Sequence, residues 1–193
     1  MEFRLRLSLL DRLSPKILAL LIGIASAASL AAFSQTAVGA TGDDPVVSVN
    51  EQTGGTLQNR QIAAQWKVQD GHLAGLVIRN KSVEESAPDS SLRLGEPFSI
   101  DLKESGVLRA SGLKIDGLAR VEHLTANPAA SRYAERLSGV AVHYQLEDPG
   151  GQFKADWVLV LRQGSSYIRQ VLTITAGGKP APVSGVVMID VSS

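Results

Sequence analysis

The feature that most constrains this chain is a period-two alternation of side chains, repeated along its length and broken each time by turn-forming residues. Ile62, Ala64, Trp66 and Val68 alternate with Gln61, Ala63, Gln65 and Lys67. Val140, Val142, Tyr144 and Leu146 form a second such run, and Phe153, Ala155, Trp157, Leu159 and Leu161 a third. Successive side chains of an extended chain point to opposite faces, so this spacing writes one buried and one solvated face. Asp70-Gly71 is a two-residue hairpin signal. Glu104-Ser-Gly106, Glu147-Asp-Pro-Gly-Gly151, Gln163-Gly-Ser-Ser166 and Gly177-Gly-Lys-Pro180 carry the Gly, Pro and short polar residues of turns.

The pattern predicts eight or nine strands. They fall at 62–68, 73–79, 98–102, 107–110, 113–121 (interrupted by Gly117), 140–146, 153–161, 168–175 and 183–191. Residues 80–95, which include Pro88, read as a loop, and residues 124–134, which include Pro128, as a surface connection. Short strands separated by frequent turns, with no convincing amphipathic helix, give an all-β class: an antiparallel two-sheet sandwich.

The N-terminus has a different character. Residues 1–16 hold Arg4, Arg6, Arg12 and Lys16, and an uncharged run of 17 residues follows from Ile17 to Phe33. Small residues at Val38-Gly39-Ala40 complete the pattern of a secretory signal peptide, expected over residues 1–40 and helical in its apolar part. A membrane-spanning helix takes about 20 apolar residues, so an uncleaved anchor is the alternative, and the one route to a membrane. Residues 41–58 read as a linker or a loose first strand, and residues 59–193 as the sandwich. The last apolar strand runs directly to the end of the chain, as it would in a protein truncated at its C-terminus.

Composition narrows the function. The chain has 19 basic and 19 acidic residues. Without residues 1–40, which carry four of the basic and two of the acidic ones, 15 basic and 17 acidic residues remain. A nucleic-acid binder concentrates positive charge against phosphates, and no basic run occurs here, so no nucleic-acid partner is expected. Cysteine is absent, which excludes disulfides, thiolate metal sites and thiol catalysis. An exported domain held by its core alone suits a bacterial envelope protein, periplasmic or extracellular.

No complete catalytic set emerges. His72, His123 and His143 show no metal-ligand spacing and read as solvated surface residues, so neither a metal nor a cofactor is expected. Asp101, Glu122, Glu135, Glu147, Asp148 and Asp156 are carboxylates of the kind glycoside hydrolysis uses, without a sign of pairing across a bond. Trp66 and Trp157 share faces with aliphatic residues and read as core rather than as sugar-stacking platforms. Tyr133 and Tyr167, with Arg132 and Arg169 beside them, are the remaining candidates for contact with carbohydrate.

Three segments resemble a known family: 59–76, from Asn59-Arg-Gln to Leu-Ala-Gly-Leu76; Leu94-Gly-Glu-Pro-Phe-Ser-Ile-Asp-Leu102 with Val107-Leu-Arg-Ala-Ser111; and 157–174, which contains Arg162-Gln-Gly-Ser-Ser-Tyr-Ile-Arg-Gln170. Together they resemble the N-terminal galactose-mutarotase-like β-supersandwich of secreted α-glycosidases of the α-galactosidase and endo-α-N-acetylgalactosaminidase kind. In those enzymes the β-domain precedes a (β/α)₈ barrel whose aspartates do the chemistry. No residue here matches those aspartates, nor the His/Glu pair of a free-standing mutarotase. The resemblance implies a non-catalytic, carbohydrate-associated domain of a glycoside hydrolase, with a catalytic barrel as partner. The other reading is a free-standing secreted or periplasmic module that binds a sugar or a protein.

Overall fold

The computed structural model of the protein describes residues 35–37, 43–82, 91–103, 106–177 and 183–189. Among them the fold is all-β, with antiparallel sheets and no α-helix. The strands are β1 (Gln35–Ala37), β2 (Val46–Asn50), β3 (Gly54–Gln58), β4 (Ile62–Gln69), β5 (His72–Asn80), β6 (Ser91–Leu94), β7 (Ser99–Leu102) and β8 (Gly106–Arg109). They continue with β9 (Lys114–Ile115), β10 (Arg120–Leu124), β11 (Gly139–Glu147), β12 (Phe153–Arg162), β13 (Arg169–Ala176) and β14 (Val183–Val187).

One large sheet runs β1-β2-β3-β4-β5-β9-β11-β12-β13, with β6 on the edge of β5 and β10 on the edge of β11. A small sheet runs β14-β7-β8. The large sheet is two halves joined by the two-residue strand β9, which pairs through Lys114 to His72 and through both its residues to β11. The first half, β1–β6, faces the second, β10–β13, so one continuous sheet supplies both layers of the sandwich.

The alternating runs explain the closure. Trp66 of β4 points inward between the halves and meets Tyr144 of β11 and Trp157 of β12 edge-on, with ring centroids 6.2 and 6.5 Å away. Tyr144 and Trp157 sit opposite one another across the β11–β12 ladder. All three rings are at most 1% exposed. The indole Nε1 of Trp66 donates to the Tyr144 hydroxyl at 2.9 Å, and that of Trp157 to Gln170 Oε1 at 2.8 Å, so neither buried N–H is orphaned. Gly55 makes room for this cluster: a Cβ there would lie 2.5 Å from the Trp66 ring. Leu57, Leu73, Leu76, Phe98, Ile100, Leu113, Leu146, Phe153 and Leu159 complete the core. The expectation that Trp66 and Trp157 are core residues holds.

The Asp70-Gly71 hairpin also holds. Both central residues have positive φ, +52° and +77°, as a turn matched to the twist of its strands requires. Elsewhere the structure departs from the sequence pattern. Of the two readings of residues 41–58, a linker or a loose first strand, the strand is nearer: residues 46–58 form the hairpin β2–β3, with Val47 and Leu57 fully buried. Only three apolar side chains carry this hairpin inward, too few to stand out in a Gly/Thr/Gln-rich segment. Residues 80–95 contain β6, paired to β5. Residues 113–121 are not one strand. Gly117, at φ +82°, ends the path of β9, and β10 begins afresh at Arg120 and runs on to Leu124. The two-sheet expectation is met by one folded eleven-stranded sheet plus a three-stranded one.

The signal-peptide helix expected within residues 1–40 lies outside the described residues. Gln35–Ala37 pair as a short edge strand with Val47–Val49. Cleavage after Ala40 would remove that strand and leave β2 as the edge.

Two of the segments that carry the family resemblance meet in space. Asn59 is 5% exposed and lies between β3 and β4. Its side chain donates to the Ser165 carbonyl at 2.8 Å and accepts from the N–H groups of Gln61 and Ile62. Gln61 adds a bond to the Gly164 carbonyl. The start of the first motif and the Gly-Ser turn of the third thus form a clasp across the halves, so their role is structural.

Candidate functional site

The two halves of the sandwich each have an outer face, and candidate residues lie on both. On the second half, alternation places Glu122, Ala141, His143, Asp156, Val158, Val160, Arg169 and Val171 outward. His143 was expected on a solvated surface. Instead its side chain is only 14% exposed, held between two carboxylates. Its Nε2 lies 3.1 Å from Glu122 Oε2 and its Nδ1 3.5 Å from Asp156 Oδ2. Neither contact has the alignment of a hydrogen bond. Sequence spacing hid this cluster because its members come from β10, β11 and β12 and meet only through cross-strand register.

Arg120 donates to Glu122 at 2.9 Å, and this bond is the main reason the Glu122 carboxyl is held below the usual carboxylate range. Chemically the cluster is closed. A general acid or base must present a ring nitrogen to its substrate, and both nitrogens of His143 face carboxylates. A glycosidase pair needs open space between its carboxyl groups, and here the imidazole lies between Glu122 and Asp156.

Part of this outer face is covered. Ala141, Val158 and Val160 are 2%, 7% and 7% exposed and form a small second core with Leu124 and Val171. The connection from β10 to β11 folds back here. A 3-10 turn, Tyr133–Arg136, is tied down by Arg136 Nε on the Ala130 carbonyl and by Arg162 on the Leu137 carbonyl.

Two of the four sugar-contact candidates, Tyr167 and Arg169, line one small cavity, and Tyr133 and Arg132 lie on the turn that borders it. Tyr133 stands 73% exposed on the turn, and Arg132 lies 3.8 Å from Glu135. Tyr167 is 56% exposed. Tyr167 and Arg169 line a cavity with Ala134, Glu135, Val160 and Arg162. At about 30 Å³ it holds a water molecule rather than a sugar ring. Both tyrosines are exposed as expected, and the cavity beside Tyr167 is too small for a sugar ring.

The outer face of the first half is different. Two adjoining troughs, of about 350 and 500 Å³, cross β2–β5 and share Thr56 and Gln65 in their walls. Both fall in the size range of small-molecule sites. Thr56 and Gln65 are cross-strand partners, as are Gln58 and Ala63, and Ala63 and Arg79. Their short members, Thr56 and Ala63, form the floor. Gln58, Gln65, Lys67, Arg79 and Lys81 rise around it. Lys81 Nζ is fixed by Gln58 Oε1 at 3.1 Å and the Asn59 carbonyl at 2.9 Å.

These residues were not singled out from the sequence. The signal was the polar half of the alternation itself: Gln65 and Lys67 interleave with Ala64, Trp66 and Val68. Nothing in a single strand shows that its polar side faces a concavity.

Among the described residues, no group of three or more His, Asp or Glu side chains is placed to hold a metal ion, and no helix is long and apolar enough to cross a membrane. Comparison with protein-family models, with curated proteins and with solved structures finds no match to this chain.

Proposed function

We propose that this chain is an exported, non-catalytic carbohydrate-associated β-sandwich domain of the supersandwich kind, working alongside the catalytic barrel of a glycoside hydrolase. The observation that carries the proposal is the trough across β3–β5. It has ligand size, and hydroxyl, amide and cationic groups line it. Carboxamides donate and accept and guanidinium groups donate, each in a planar, paired manner that sugar hydroxyls match. The closed Glu122–His143–Asp156 cluster supports a binding role over turnover. The resemblance of residues 59–190 supplies the family.

A fitting test is a glycan-binding screen of the exported chain with the variant Ala63→Phe, which fills the trough floor from a position that points away from the core. Binding by the native chain and its loss in Ala63→Phe is the expected result. Loss in Tyr133→Ala or Tyr167→Ala instead would move the site to the opposite face. No binding to any glycan would overturn the reading.

The second reading, a free-standing secreted or periplasmic binding module, has one observation in its favour. The Trp66–Tyr144–Trp157 interior is closed by the chain's own two halves, with no need of a barrel. A soluble, monodisperse exported chain supports it. Aggregation relieved by joining a barrel domain supports the first reading.

A further inference from the structure

The large sheet ends on one side at β1, which pairs antiparallel with β2. Gln35 lies opposite Val49, Thr36 opposite Ser48 and Ala37 opposite Val47. The cleavage expected after Ala40 takes β1 away. The backbone groups of β2 that pair with β1 then face solvent, and an unpaired strand edge is a template for another strand. Sheets blunt such edges with charged side chains. Among the described residues, the other edge strands of the large sheet each carry a charge: Arg93 on β6, Arg120 and Glu122 on β10, and Arg169 on β13. The strand β2, Val46-Val-Ser-Val-Asn50, carries none and is rich in valine, a strong strand former.

The sequence of β2 also selects the strand that can take the vacated place. Val47-Ser48-Val49 reads alike in both directions. Two copies of β2 laid antiparallel about Ser48 put Ser48 opposite Ser48 and Val47 opposite Val49. That repeats the pairing with β1, in which another hydroxyl residue, Thr36, lies opposite Ser48. Val47 and Val49 point into the core of each copy and Ser48 to the outer face, so no charge or bulky side chain stands at the junction. A self-complementary patch of this kind is what a two-fold dimer requires. Pro45, which has no N–H, bounds the ladder at its start.

We propose that, once residues 1–40 are removed, β2 pairs antiparallel with β2 of a second copy and joins two sandwiches into one continuous sheet. Until cleavage, β1 holds that edge closed. The proposal rests on the exported state in the proposed function, not on the glycan, and adds a partner.

The test takes the chain as an exporting cell delivers it, reads its N-terminus by mass spectrometry, and follows its molecular mass by sedimentation. A five-residue ladder is small beside the roughly 800 Å² per partner of a standard interface, so the dimer is weak and the range is roughly 1–500 µM. The expected result is a chain that begins at Thr41 and is in monomer–dimer equilibrium. Ser48→Lys sets two ammonium groups opposite each other at the axis and should weaken dimerisation at least tenfold, with the melting temperature of the monomer unchanged. Ser48→Thr should retain the dimer. A peptide of residues 34–40 should compete and return the native chain to monomer. The same peptide with Thr36→Pro and Ala37→Pro should not, because consecutive N–H groups of a strand point to opposite sides and one of the two faces β2. A monomer at every concentration overturns the proposal; if that monomer binds the peptide, the edge belongs to a strand of another protein. A dimer indifferent to both Ser48→Lys and the peptide also overturns it, since the contact then lies elsewhere. Recovery of an exported chain that still carries residues 35–37 overturns the proposal at its premise, the cleavage, rather than at the strand edge.

Discussion

On the outer face of the second half, several ionisable groups sit beside opposite ones. Arg120 meets Glu122, His143 lies between Glu122 and Asp156, and Lys154 lies 3.2 Å from Asp116 and 3.6 Å from Glu147. On the outer face of the first half, the strands supply cations and amides with no carboxylate among them. The second face also buries Ala141, Val158 and Val160 with Leu124 and Val171, whereas the first keeps its centre as an open trough. Both faces come from the same alternating pattern, so polarity at alternate positions does not mark a binding surface. What distinguishes them is their shape: the second face packs a small apolar cluster, and the strands of the first surround a concavity. Charges neutralised within the protein hold strands in register.

The largest effect that sharpens this contrast comes from placing a carboxylate on each face. Val158→Asp buries a carboxylate next to Asp156, opposite His143 in the β11–β12 register. It should cost about 2–4 kcal/mol of unfolding free energy. Gln65→Glu adds the same charge on the exposed trough wall and should change stability by less than about 0.5 kcal/mol. Chemical denaturation of both variants checks the pair; equal costs would break the distinction between a covered face and an open one.

Tyr144→Phe probes the layer beneath both faces. It leaves the Trp66 indole N–H buried without an acceptor, at a cost of about 1–3 kcal/mol. It should leave ligand binding at the trough unchanged, because Tyr144 points inward. Burial pushes the Tyr144 phenol up from 10.0 to about 12, with a smaller opposing contribution from its bond to Trp66. The unfolded chain therefore loses this proton first. The native protein should lose about 2–3 kcal/mol of stability as pH rises from 10 to about 12, a loss absent in Tyr144→Phe. Denaturant midpoints across that alkaline range measure it.

The smallest effect belongs to the charge network of the second face. Arg120, and to a lesser degree His143, favour the ionised form of Glu122. A depressed carboxylate contributes stability above its ordinary titration range and loses it as pH falls through the folded value. The pair is largely exposed, so the acid-side loss should stay below about 1 kcal/mol and shrink in salt. Glu122→Gln should flatten the acid limb of the stability profile by that amount and leave the trough's ligand binding unaffected. An unchanged acid limb would show that the network contributes nothing to holding the second face.

Much of the fold was legible because the information was local. Ile62–Val68, Val140–Leu146 and Phe153–Leu161 each carry enough large apolar residues at period two to fix strand and face together. Asp70-Gly71 fixed a hairpin because few other residue pairs accept positive φ twice in succession. The β2–β3 hairpin, β6 and the break at Gly117 were not legible, since short strands with one or two inward apolar residues look like polar loops. The candidate tyrosines are at the surface, yet the cavity that Tyr167 lines is water-sized, a property of how Ala134 and Glu135 of the 3-10 turn pack on Val160, Arg162 and Arg169.

By itself, then, the sequence determined an all-β chain with Trp66, Tyr144 and Trp157 facing inward, because side-chain alternation is a property of the extended backbone. Tertiary structure alone decided that one sheet folds over to form both layers and that Asn59 meets Ser165. It also decided that His143 is enclosed by Glu122 and Asp156 while Thr56, Gln65 and Arg79 surround an open trough. Those arrangements depend on register between strands distant in sequence, and register is set by the packing of the whole core rather than by any single strand.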